Sequence, residues 1–181
     1  MNYYLLESDP LYKEMPYIKS LSKDFDLNNI RSAQSHKLPD ISIAYIYENP
    51  DTNFIDIVSS PFLLCSDLCM KVIKIYEPYI ISKKISLLDT TNKIMRTYDL
   101  PILPRLNCLT ENSEFNLDKS VIKYAELDLI KVKHHSIFHI ADAKNMYTVI
   151  RLDMLESMLK RGAKGLSITK LDTRSGGIKN E

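Results

Sequence analysis

The stretch "YTVIRLDMLESMLKRGAKGLSITKLD", residues 147–172, decides the fold. It opens with β-branched residues that read as a strand. Leu152, Leu155, Met158 and Leu159 then recur at helical spacing, which predicts a helix over 152–160 with one apolar face. Gly162 supplies its C-terminal stop, and "GLSITKL" returns as a strand. The segment carries no nucleophile, metal cluster or phosphate loop. "RGAKG" at 161–165 has its helix before it and its strand after it. A phosphate loop needs the opposite order and a GxxxxGK[ST] spacing, so Gly162 and Gly165 read as a helix stop and a turn.

Working outward, the same alternation of patterns fills the chain. "YYLL" (3–6) and "ISIAYIY" (41–47) read as strands, with an irregular, proline-interrupted connection between them and one short helix near 16–23. "ENPDTN" is a turn before the strand "FIDIV". In "SSPFLLCSDLCMKVIKIYEP", Ser60 is a candidate N-cap and Pro61 fits the first helical position. Leu64, Leu68, Val72 and Ile75 would line the apolar side of a helix over about 60–77, which Pro78 ends. "YIISKKISLLD" and "IMRTYDLPIL" flank the turn-like "TTNK" and predict a hairpin. "VIKYAELDLIKV" (121–132), "SIFHIA" and "YTVIR" read as further strands. Residues 108–120, "CLTENSEFNLDKS", are polar and run over the surface.

The expected architecture is therefore α+β: a single domain over residues 1–172, with two main helices on a mostly antiparallel sheet. A flexible tail at 173–181 would follow, because it contains too little to bury. At 181 residues such a chain needs no disulfide or metal staple to fold. Twenty-four basic and 23 acidic residues balance, which argues against a dedicated nucleic-acid surface. No apolar run approaches the ~20 residues of a membrane span, and the N-terminus lacks the layout of a signal peptide. Three cysteines, an odd number, do not form a disulfide framework, and the cytoplasm is the expected compartment.

Two enzymatic readings compete with a plain one. Cys65 and Cys69 lie four apart, and with Cys108 and the His134–His135 pair they could be imagined around a zinc ion. Structural zinc sites, however, draw on short knuckles in loops rather than on an apolar helix. Cys65 near a helix start could serve a Cys/His hydrolase, which needs an acidified thiol and an oxyanion loop. No glycine-rich elbow surrounds it. The plain reading takes these cysteines as small buried hydrophobes and the histidine pair as the solvated end of a strand. No catalytic residue, metal or cofactor is expected.

The pieces "FIDIVSSPFLLCSDL", "LPRLNCLTENSEFNLDKS", "SIFHI" and "VIRLDMLESMLKRGAKGLSITKL" together resemble immunity family eleven of bacterial polymorphic toxin systems. That family has a serine-led helix, a strand pair, an asparagine-to-serine stretch, an aromatic strand, and a helix ending in a glycine turn before the last strand. Ser59 and Ser60, Asn107 and Cys108, Asp118 to Ser120, Phe138, and Gly162 with Gly165 hold those positions here. The likeness covers about residues 54–172, and residues 1–53 lie outside it. It implies an antitoxin whose partner is a cognate protein toxin, with no nucleic acid or membrane involved and a homodimer left open. Exposed loops on a rigid sheet commonly carry recognition. Glu111, Glu114 and Asp118 on the 108–120 connection are therefore the candidate toxin-binding residues, acidic enough to steer toward a basic active site. A small hydrolase using Cys65 or the His134 region, or a regulatory protein-binding module, are the alternatives.

Overall fold

The computed structural model describes residues 1–30 and 34–175. The first half holds β1 (Tyr3–Ser8), β2 (Ile18–Leu21), β3 (Ile41–Ile46), β4 (Ile57–Val58), β5 (Leu64–Cys65) and α1 (Asp67–Tyr76). Next come the strands β6 (Ser82–Asp89), β7 (Ile94–Pro101), β8 (Arg105–Leu106), β9 (Glu114–Phe115), β10 (Ile122–Tyr124) and β11 (Glu126–Asp128). The last third holds α2 (Leu129–Val132), β12 (Ile137–Ile140), β13 (Thr148–Arg151), α3 (Leu152–Lys160) and β14 (Leu166–Arg174). The fold is α+β with mostly antiparallel pairing, as the sequence predicts. Contacts within the chain gather into two compact units, whose division falls inside β1, α3 and β14.

The first unit comprises Met1–Leu6, Leu103–Glu156 and the chain from Ile168 on. Its six-stranded sheet has the order β11-β14-β1-β13-β12-β8, and β9 and β10 form a separate hairpin. β1 pairs antiparallel with β13 and places Tyr3 opposite Arg151. Tyr3, Cys108, Leu127, Phe138, Ile140 and Val149 pack into one core cluster. The Tyr3 ring meets Phe138 edge-on at 5.9 Å, and its buried hydroxyl donates to the Val132 carbonyl at 2.8 Å. That bond satisfies a polar atom that would otherwise be costly to bury.

The second unit spans Glu7–Ile102 and Ser157–Ser167. Its sheet has the order β2-β3-β6-β7-β5-β4. β6 and β7 form the expected hairpin, paired over their whole length from Ser82↔Pro101 to Asp89↔Ile94. Asp89 fixes the turn: its carboxylate accepts N–H groups from Thr91 and Asn92 at 2.9 Å each and from Asn49 at 3.0 Å. β3 exposes Ile41, Ile43 and Tyr45 and turns Ser42, Ala44 and Ile46 inward.

Several expectations need correction. The first helix starts at Asp67, not near residue 60: the Ser60–Pro61 peptide is cis and Leu64–Cys65 is a strand. Ser66 is its N-cap, accepting from the Cys69 N–H at 3.4 Å. The buried side of α1 is Cys69, Met70, Val72 and Ile73, whereas Leu68 is half-buried and Ile75 is exposed. Residues 18–21 are a strand held by β3 rather than part of a helix. The run 121–132 is not one strand; Asp128 caps a helical turn at Leu129–Val132.

On α3, Met154, Leu155 and Met158 are buried, while Leu159 is exposed. Its end is as predicted. Gly162 takes φ +84, its N–H reaches Leu159 and that of Ala163 reaches Met158, which closes the helix in a Schellman motif. Thr173 and Arg174, expected in the tail, belong to β14 and pair with Leu127 and Asp128. Ser175 follows β14 outside any strand, and residues 176–181 of the expected tail lie outside the described residues.

Candidate partner-binding site

Residues 108–124 form an anchored, ordered excursion in the first unit. At its root Cys108 and Leu109 are buried, and the Asp142 carboxylate accepts both of their N–H groups, at 2.9 and 3.3 Å. Glu126 holds the next turn. Its carboxylate accepts from the Thr110 hydroxyl at 2.5 Å and from the Asn112 amide at 2.9 Å, and its own N–H donates to Ser113 Oγ. The chain then enters the β9–β10 hairpin, where Phe115 pairs with Ile122 and Glu114 with Tyr124.

The hairpin tip is fixed from several sides. The Asn116 carbonyl receives Lys119 N–H at 3.1 Å, and Asn116 N–H reaches the Val121 carbonyl at 3.0 Å. The Asn116 side chain accepts from Val121 N–H and donates to Ser120 Oγ, both at 2.9 Å. Lys119 sits at φ +58, its carbonyl accepts from Lys144 N–H, and its ammonium lies 5.7 Å from the centre of the Phe115 ring. The Tyr147 hydroxyl donates to the Ser120 carbonyl at 3.1 Å. At the apex of this tied loop stands Leu117, at 108% relative exposure, with half-exposed Val121 nearby in sequence.

All three predicted acids lie on this excursion and are exposed, but they do not form a bare acidic patch. Glu111 is ion-paired with Arg174 at 2.8 Å. Asp118 bonds back to its own loop, accepting from the hydroxyl and N–H of Ser120, with Lys144 at 4.0 Å. Those Ser120 bonds, foremost the hydroxyl, hold its carboxyl below the usual carboxylate range. Glu114 stands exposed on β9. The apolar side chain that stands outward at the apex is Leu117. The clue in the sequence is an apolar residue inside the polar run "ENSEFNLDKS". Beside the hairpin an open cleft of about 280 Å³ is lined by Ile122, Tyr124, Ile140, Tyr147 and Leu171, with Lys170 among its polar residues.

The residues weighed for catalysis sit elsewhere. Cys65, Cys69 and Cys108 are wholly buried. Cys65 lies on β5 rather than on the helix, with its Sγ 3.9 Å from Met70 Sδ and 3.6 Å from the Asp99 carbonyl. Burial pushes its thiol well above the ordinary value, and it pushes Cys69 and Cys108 up to about 12. None is a thiolate at neutral pH. His134 is exposed and His135 half-buried just after α2. The histidine that the structure buries is His139, whose Nδ1 lies 3.2 Å from Thr148 Oγ1. Among the described residues no group of three or more His, Cys, Asp or Glu side chains gathers to hold a metal, and no helix is long and apolar enough to cross a membrane. Searches against models of known protein families and against curated proteins find no match to this chain.

Proposed function

We propose that this protein is a cytoplasmic immunity protein that binds a cognate protein toxin stoichiometrically and blocks it, through the hairpin at 108–124. The observation that carries this reading is the tied hairpin tip with Leu117 standing clear at its apex. A loop already held in one conformation loses little entropy on docking, which is the main cost of using a loop for recognition. An exposed leucine on such a loop is a knob for an apolar pocket. The open cleft lined by Ile122 and Tyr124 of the same hairpin offers a recess for a side chain of the partner. An apolar anchor and a recess on one unit are the elements of a buried interface centre. The resemblance over residues 54–172 supplies the class of partner. Neutralising a lethal protein at low concentration calls for nanomolar or tighter binding, about −12 kcal/mol.

The acids play supporting parts in this reading. Glu111 holds Arg174 and Asp118 shapes the tip; Glu114 is the one left to meet a cation on the partner. The test is co-expression with the toxin encoded beside the gene. The intact protein is expected to protect cells and to co-purify with that toxin. Leu117→Asp is expected to weaken binding at least about thirtyfold, a hot-spot loss of about 2 kcal/mol. Changing Glu111, Glu114 and Asp118 to lysine together tests the acids. Failure of the intact protein to protect or co-purify ends the reading; full binding by Leu117→Asp removes the knob from it.

A further inference from the structure

The second unit has a sheet face that its own fold covers at Ser86 and Asp99 but leaves open around β3 and Met95. In most half-buried strands the larger apolar residues turn inward, but β3 buries Ser42 and Ala44 beside Ile46 and leaves three large apolar residues outside. Ser42 and Ala44 are buried at 4% and 0%, while Ile41, Ile43 and Tyr45 stand 67%, 39% and 37% exposed, and Tyr47 beyond them 59%. The register extends this face across two more strands. Ile43 pairs with Ser86 and Tyr45 with Leu88, and Ser86 and Leu88 pair in turn with Thr97 and Met95. Met95 is 64% exposed. Tyr45, Leu88 and Met95 thus form an apolar row across β3, β6 and β7. Several large apolar groups on one face form the kind of patch that marks an interface.

Several polar residues near this face are paired with one another. Lys84 and Asp99, neighbours in the next row, form an ion pair at 2.8 Å. The hydroxyls of Ser86 and Thr97 are 3.0 Å apart. Beside Tyr47, Lys19 pairs with Glu48 at 3.8 Å and lies 5.8 Å from the centre of the Tyr47 ring. The charged side chains named here thus occur as two pairs of opposite sign, and neither pair leaves an unmatched charge to select a charged partner. A neutral, apolar surface does complement itself, because in a two-fold contact the same patch meets its own copy without like-charge clash. Two sheet faces stack about 10 Å apart with interdigitating side chains, and homodimer interfaces are the more apolar class.

We infer that the protein is a homodimer in solution, joined through the β3–β6–β7 face of each copy about a two-fold axis. The inference is independent of the toxin reading. It is tested with the intact chain alone, by sedimentation equilibrium from about 1 to about 100 μM, since dimer population follows concentration. The expected mass is about 42 kDa, twice 20.9 kDa. Ile43→Asp on β3 and Met95→Lys on β7 should each weaken the dimer at least about thirtyfold while keeping the far-UV circular dichroism of the parent. Leu117→Asp should leave it unchanged. A monomer at the top concentration overturns the inference, as does a dimer that persists in folded Ile43→Asp and Met95→Lys. Should both variants unfold, amide hydrogen exchange of the intact protein decides instead. Protection over 41–47 and 86–97 that rises with concentration supports the face, and protection that does not change overturns it.

Discussion

Gly165 faces Ile55 so closely that a Cβ built on it would lie 2.4 Å from the Ile55 Cβ. Ile55 is buried, and Gly165 takes φ +75. The glycine thus serves both a left-handed backbone and a close approach, where the sequence shows only a turn. Neighbouring bonds hold the turn in place: the Asp56 N–H donates to the Lys164 carbonyl at 2.9 Å, and the Lys164 N–H to the Asp56 carboxylate at 2.7 Å.

Replacing Gly165 with alanine should therefore cost about 2–5 kcal/mol, combining the left-handed penalty with overpacking against Ile55. Gly162→Ala is the control. It shares a positive φ but has open space around the added methyl, so it should cost about 1–2 kcal/mol. Chemical denaturation of the two variants measures the difference; equal losses would show that the Ile55 contact does not matter.

The corrected face of α1 makes a second pair of expectations. Ile73 is wholly buried and Ile75 is 63% exposed. Ile73→Ala should cost about 2–5 kcal/mol, while Ile75→Ala should stay within about 0.5 kcal/mol of the parent. Reversed costs would mean that the helix is rotated from the position described.

All three thiols should resist modification in the folded protein. Each is at 0% exposure, and burial raises its pKa. A thiol-reactive dye at neutral pH should titrate none within minutes and all three in denaturant. Fast labelling of Cys65 in the native state would contradict the packing around Met70.

Stability should fall in mild acid because of His139. Burial, and after it the nearby charge of Arg105, lowers its pKa from 6.5 to about 4. The folded protein keeps this imidazole neutral where the unfolded chain protonates it, so its contribution is fully present above about pH 6.5. That contribution shrinks as pH drops toward 4, by on the order of 3 kcal/mol in total. Urea midpoints between pH 7 and pH 4 read the slope, and His139→Leu should flatten that part of it.

The strands with clean alternation, the 82–101 hairpin and the glycine stop of α3 were readable because local pattern and tertiary burial agree there. The start of α1 was not. Ser60–Pro61 has the chemistry of a helix start, but Phe62, Leu63, Leu64 and Cys65 are all buried, and a four-residue run covered on every side is strand-like. Ser66, an equally good cap, is the one used. Residues 18–21 carry no strong strand signal and become a strand only by pairing with β3.

At the candidate site, sequence alone located the exposed segment and its acids. It could not show that Glu111 is ion-paired with Arg174, 63 positions away, or that Asp118 turns onto Ser120. Nor could it choose the inward side of β3. Both alternating sets in "ISIAYIY" are compatible with a core, and the choice of Ser42 and Ala44 for the inside depends on what lies beneath them.

The Asp56–Lys164 stitch spans 108 positions, and the Tyr3–Val132 bond spans 129. The second unit includes residues 157–167, and the first takes strands from both early and late segments. During synthesis, neither unit can complete its contacts until the ribosome has released the residues beyond about 160. The β2–β7 sheet can pair as soon as residues 18–101 have emerged, but β1 must wait for β13 and β14, so the emerging chain carries the unpaired edges of β1 through most of translation.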